Sequence, residues 1–266
     1  MNKRSPHSEG SLAPAFSGKV WLVGAGPGDP ELLTLKAVRV MGQANVVLVD
    51  DLVNPEVLAH CPQARVVWVG KRGGCRSTPQ AFIQRLMWRF ARQGMTVVRL
   101  KGGDPGVFGR AGEEAHWLRQ RGLDCEVVNG ITAGIAAANA CGLPLTMRGT
   151  SIGVTLVTAH TEHGDAPDWS ALARTGTTLV IYMGVSTLGR TCKALLDGGM
   201  APDMPVAMIE NASLPHQRQR LSTLGSLEND AREFGLRSPA ILVAGKLVSL
   251  AQIEDWHPLN STGTGG

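Results

Sequence analysis

Five short β-branched runs, four of them running straight into a glycine-bearing loop, constrain this chain more than any other feature. They are Val20 to Val23, Val46 to Val49, Val66 to Val69, Val97 to Leu100 and Cys125 to Val128. Segments with helical spacing separate them, at Leu32 to Met41, Phe82 to Arg92 and Glu113 to Arg121. That alternation predicts a parallel sheet with crossover helices. Loops leaving the carboxyl ends of such strands converge on one crevice, so they are expected to line one site.

A second strand set follows at Val154 to Val157, Thr178 to Tyr182, Val206 to Glu210 and Ala240 to Val243, with helices near Thr187 to Leu196 and Leu227 to Phe234. Between the sets lies a run of small residues, Gly130 to Ala138, suited to a helix packed closely against something. The predicted organisation is α/β throughout: a flexible leader over 1–17, an N-terminal α/β domain over 18–130, a hinge over 131–149, a C-terminal α/β domain over 150–258 and a loose tail over 259–266. A chain of 266 residues with 43% hydrophobic residues has enough apolar side chains for two such cores.

The formal charge of +4 is spread along the chain, so no nucleic-acid stripe is indicated, whereas arginine-bearing loops suit an anionic small molecule. Five widely spaced cysteines without a C-x-x-C pair argue against a disulfide framework and a zinc site, and reduced thiols point to the cytoplasm. Ile131 to Leu145 is the most apolar stretch and is too short to span a bilayer. No metal is expected.

The first loop, Gly24-Ala25-Gly26-Pro27-Gly28-Asp29-Pro30, invites a dinucleotide reading. The fingerprint requires a third glycine where Asp29 stands, and Pro27 removes an N–H that would face a pyrophosphate. Asp50, ending the second strand, stands near the position of a ribose-binding acid and keeps an NAD(P)-dependent oxidoreductase open as an alternative. A Walker loop is excluded because no Gly-Lys-Ser/Thr follows.

Further loops decide between these readings. Gly70-Lys71-Arg72, Arg99-Leu100-Lys101-Gly102-Gly103-Asp104-Pro105, Phe108-Gly109-Arg110, Gly130-Ile131-Thr132-Ala133, Tyr182-Met183-Gly184 and Pro205-Val206-Ala207 join the first loop in one ordered series. With these, the chain resembles the tetrapyrrole methylase family, and within it the branch acting on uroporphyrinogen III. The resemblance runs from about Gly18 to Trp256. It implies two α/β domains with the active site in the cleft between them, and a homodimer. It also implies S-adenosyl-L-methionine as cofactor, S-adenosyl-L-homocysteine as its product, and methyl transfer to carbons 2 and 7 of uroporphyrinogen III to give precorrin-2 by way of precorrin-1. A sister methylase acting on a later precorrin is the nearest alternative.

By motif position the resemblance assigns cofactor contacts to Pro27, Gly102, Gly103, Asp104, Val107, Thr132, Ala133, Met183, Ala212 and Ala240. Several of these are small, which lets main-chain amides and carbonyls reach a folded-up ligand. Pyrrole methylation requires in-line positioning and the loss of a proton from the macrocycle. Asp50, at the same edge as the cofactor loops, is the expected base, and the resemblance makes Lys71 either the proton donor or, with Arg72, a partner of substrate carboxylates. Arg110 and Glu113, three apart at a loop-helix junction, either project into the cleft or form an i, i+3 pair. The substrate's carboxylates call for arginine, with Arg72, Arg110 and Arg148 expected to meet them. His160 and Met183 are expected beside the substrate, Met183 next to the transferring methyl group.

Overall fold

The computed structural model describes residues 18–70, 78–160 and 166–251. Lys71 and Arg72 lie outside the described residues. The first sheet contains β1 (Lys19–Gly24), β2 (Val46–Val49), β3 (Arg65–Trp68), β4 (Thr96–Lys101) and β5 (Cys125–Val128) in the order β3-β2-β4-β1-β5. Each neighbouring pair is parallel. All five strands therefore end at one edge, as the alternation predicts.

Period-two alternation explains how this sheet holds helices on both faces. Trp21, Val23, Val47, Val49, Val98 and Leu100 pack with Ala37, Val40 and Met41 of α1 (Leu35–Met41). The intervening Val20, Leu22, Val46, Leu48 and Val97 pack with Ile83, Met87 and Phe90 of α2 (Gln80–Arg92) and with Ala115 and Leu118 of α3 (Ala111–Arg119). The helix predicted from Leu32 starts at Leu35. Asp29 caps a 3₁₀ turn at Pro30–Leu32 by accepting from the Glu31 amide at 2.8 Å, and Thr34 then caps α1 by accepting from Ala37 at 3.2 Å.

The small-residue run forms α4 (Ala133–Ala140). Ala137 and Ala138 pack on Val180, Tyr182, Ala207 and Val243 of the second sheet. That sheet comprises β6 (Val154–Thr158), β7 (Thr178–Tyr182), β8 (Pro205–Glu210), β9 (Arg218–Thr223) and β10 (Ala240–Ala244), ordered β6-β7-β10-β8-β9. Its other face is covered by α5 (Trp169–Ala173), α6 (Leu188–Asp197) and α7 (Leu227–Phe234), through Trp169, Leu188, Leu195, Leu227 and Ala231.

Two features of the second sheet have no apolar signature in the sequence. The edge strand β9, Arg-Gln-Arg-Leu-Ser-Thr, is polar because it is only half covered. The β10 strand is antiparallel to both β7 and β8. Since β6 and β7 are parallel, the carboxyl ends of β6, β7 and β8 and the amino end of β10 share one edge. No helix among the described residues is long and apolar enough to cross a membrane.

Candidate active site

Four glycines build the floor of the candidate site. The Gly26 and Gly103 amides exchange hydrogen bonds with each other's carbonyls at 3.2 and 2.7 Å, and the Ala25 amide donates to Lys101 at 2.8 Å. The loops after β1 and β4 are thereby clasped together. A Cβ on Gly24 would lie 2.6 Å from both the Gly103 carbonyl oxygen and the Gly130 nitrogen, and one on Gly130 would strike that same oxygen. Asp104 completes the clasp, its two carboxylate oxygens accepting from Gly106 at 2.7 Å and Gly130 at 3.0 Å. The loops after β1, β4 and β5 thus meet backbone to backbone, which only glycine allows.

The carboxyl edge of the second sheet closes over these loops. The Asp29 amide donates to Ser213 Oγ at 3.1 Å, and Gly28 abuts Leu214. This seam is the candidate site. The single tyrosine of the chain, Tyr182 at the end of β7, accepts a hydrogen bond from the Gly134 amide at 2.8 Å and pairs with Thr132 Oγ1 at 2.8 Å. Its ring lies 4.9 Å from that of Phe108, centroid to centroid. Burial pushes the Tyr182 phenol above its ordinary pKa, so it stays protonated.

Backbone strain concentrates here. Among the described residues the non-glycine positions with left-handed φ are Phe108, Arg110, Met183, Asn211 and Ser213, at 54°, 59°, 55°, 50° and 63°. Every one lies in a loop at this seam. Such conformations cost roughly 1–3 kcal/mol each and persist where the surroundings enforce them, commonly at ligand sites.

Behind the loops sits a buried charge cluster that motif reading missed. Arg99 Nη2 lies 2.8 Å from Asp50 Oδ2, and Arg99 Nε lies 3.3 Å from Glu114 Oε1. Lys101 Nζ is 3.3 Å from Glu114 and 3.8 Å from Asp50, and Gln80 donates to Glu114 at 2.8 Å. Glu114 is fully buried and Arg99 2% exposed, while Asp50 at 35% reaches the surface of the site. Two cations face two carboxylates, which is the condition for keeping such charges out of water. Burial, and then the like charge of Arg99, push the Lys101 ammonium below the usual lysine range against the pull of Glu114 and Asp50. A signal for this cluster exists in the sequence: Arg99 and Lys101 stand two apart in an otherwise apolar strand, so both face the same side and require acids there.

The remaining expected residues divide by position. Arg110 Nη2 and Glu113 Oε2 form the i, i+3 pair at 2.8 Å, with Nε adding a second contact at 3.1 Å to Oε1. The Arg110 guanidinium holds the Glu113 carboxyl below the usual carboxylate range. Gly102, Gly103, Asp104, Val107, Thr132 and Ala133 belong to the clasped loops or border them, and Pro27 lies beside them. Met183, Ala212, Ala240 and His160 lie on or just beyond the facing edge of the second sheet. Arg148 is exposed in the turn closed by the Met147–Ser151 bridge.

The residues present fit a folded-up sulfonium cofactor, because small side chains, loops with left-handed backbone and one buried hydroxyl pair come together here. Comparison with known proteins agrees. The profile of the Tetrapyrrole (Corrin/Porphyrin) Methylases matches residues 19–228, and the chain belongs to this family. Among curated relatives, the uroporphyrinogen-III C-methyltransferase of Pseudomonas aeruginosa is 69% identical over 87% of this chain and 95% of its own length. Among solved structures, a uroporphyrin-III C-methyltransferase from Thermus thermophilus, complexed with S-adenosylhomocysteine, matches with a TM-score of 0.77 and 45% identity. That match covers 88% of this chain and all of the other. A cobalt precorrin-4 methyltransferase matches at 0.79 with 29% identity, over 90% of this chain and 99% of its own.

Proposed function

We infer that this chain is an S-adenosylmethionine-dependent uroporphyrinogen-III C-methyltransferase, methylating carbons 2 and 7 to give precorrin-2 by way of precorrin-1. The observation that carries this is the 69% identity to a curated enzyme of that name along nearly its entire length. The TM-scores do not separate it from a precorrin-4 methyltransferase, but the identities of 45% and 29% favour the earlier substrate. The dinucleotide alternative meets a physical objection at the first loop. The Ala25 and Gly26 amides, which would have to face a pyrophosphate, are taken by the Lys101 and Gly103 carbonyls.

S-adenosylmethionine supplies the methyl group as a sulfonium electrophile. The cleft residues at Pro27, Gly102, Gly103, Asp104, Val107, Thr132, Ala133, Met183, Ala212 and Ala240 hold it. Asp50, held by Arg99 through Oδ2, offers Oδ1 to take the proton the macrocycle loses, with Lys71 as the donor. Arg110, oriented by Glu113, meets a substrate carboxylate, and Arg72, Arg148, His160 and Met183 complete the substrate side. The enzyme acts in the cytoplasm as a homodimer. Unpaired Cys61, Cys125, Cys141 and Cys192 support a reducing compartment, and exposed Met147, Ile152 and Val154 support a covered surface in the assembly. Light scattering reads the dimer directly.

The deciding experiment incubates the protein anaerobically with uroporphyrinogen III and S-adenosylmethionine and counts methyl groups by mass spectrometry. Two are expected. No gain refutes the activity, and a single stable addition refutes the two-carbon assignment.

A further inference from the structure

Thr132 and Tyr182 carry two hydroxyl protons between them. The Gly134 amide occupies one lone pair of the phenol, and the two hydroxyls share one hydrogen bond of 2.8 Å. That bond uses one proton. Among the described residues the other has no acceptor, although both side chains are over nine-tenths buried. Buried hydroxyls rarely leave a proton unmatched in a working state.

The 2.8 Å contact accommodates either hydroxyl as donor, and the neighbours of each bear on which proton is left. The Tyr182 ring lies against Phe108, a Cβ on Gly134 would strike its hydroxyl, and the phenol oxygen already accepts from the Gly134 amide. With the phenol donating to Thr132 Oγ1, the threonine proton is the one left over. The Thr132 backbone borders Gly103, 3.6 Å from where a Cβ on that glycine would stand, which places the threonine beside the clasped loops.

We propose that Tyr182 is a positioning residue which, by donating to Thr132, fixes the threonine hydroxyl as a donor toward an acceptor atom of the bound S-adenosyl cofactor. This rests on the functional reading above. Phe108 and Gly134 are parts of the same device, since one backs the ring and the other admits its hydroxyl.

The test is a double-mutant cycle on the full chain, with S-adenosylhomocysteine affinity measured by calorimetry and folding by thermal melting. Y182F and T132V each weaken binding roughly fivefold to tenfold, the worth of one directed hydrogen bond. The double variant binds about as weakly as either alone, because a hydroxyl without its director contributes little. T132S, which keeps the hydroxyl, recovers most of what T132V loses. A merely structural Tyr182 lowers the melting temperature and leaves affinity unchanged, which overturns the inference, as do single effects that multiply in the double variant. Should the wild type bind no S-adenosylhomocysteine, the functional reading falls as well. Tight wild-type binding matched by Y182F overturns only the role of the tyrosine.

Discussion

Asp50 and Glu114 are both carboxylates of the buried cluster, and their environments assign them different work. Asp50 shares one oxygen with Arg99 and reaches the surface of the site. D50N is expected to abolish methyl transfer while S-adenosylhomocysteine affinity stays within about twofold, checked by single-turnover assay and calorimetry. If affinity collapses instead, Asp50 belongs to the cofactor site. Glu114 has no exposure and holds Arg99 and Lys101 together. E114Q is expected to destabilise the fold by about 3–5 kcal/mol in urea titration, since it leaves two buried cations with one partial counter-charge. Motif position reached Asp50 because it ends a predicted strand. Glu114 was missed because, on a helix rich in charge, nothing distinguishes it from its exposed neighbour Glu113 until Arg99 and Lys101 are placed opposite.

At the level of elements, the clasp of three loops and the close packing of α4 make the sharpest demands. A Cβ at residue 24 would meet the backbone of two other loops. G24A is therefore expected to lower both the melting temperature and S-adenosylhomocysteine affinity, measured together on one preparation. Gly112 behaves oppositely: it lies in the first turn of α3, where a Cβ would meet nothing within 4 Å. G112A should stabilise the protein by about 0.5–1 kcal/mol through helix propensity, read as a raised urea midpoint. The inner strands β1, β2 and β4 of the first sheet were legible because both their faces are buried and their runs, apart from Arg99, are apolar. The β9 strand was not, because a half-covered edge tolerates Arg, Gln and Ser. The start of α1 was misplaced by three residues, since Pro30 to Leu32 supplies apolar character in a 3₁₀ turn that ends before Thr34 opens the helix.

The whole molecule should show its burial in its alkaline stability. Burial pushes the Cys141 and Cys192 thiols from 9.0 up to about 11. Between these values the folded state holds protons that the unfolded chain has released, so stability is complete below pH 9 and falls as pH rises toward 11. Tyr182, also raised, acts in the same sense. Lys101, pushed down by burial and Arg99, acts oppositely up to its unfolded value of 10.5. Urea midpoints at pH 8, 9, 10 and 11 should decline, and the C141A/C192A pair should flatten the decline. At this scale the sequence indicated two strand sets and one ordered series of loops. It did not indicate that the second sheet turns its β7 and β8 ends and its β10 start toward the first, because strand direction follows from connections whose length alone permits either sense.

The hydrogen bond from the Asp29 amide to Ser213 joins residues 184 apart in the chain. A ribosome synthesises the first loop early and its partner late, so the nascent N-terminal sheet emerges with its cleft half made. Ligand capture then marks the end of synthesis: ribosome-stalled chains ending before Leu214 has cleared the exit tunnel should ignore S-adenosylhomocysteine, and chains released beyond residue 251 should bind it.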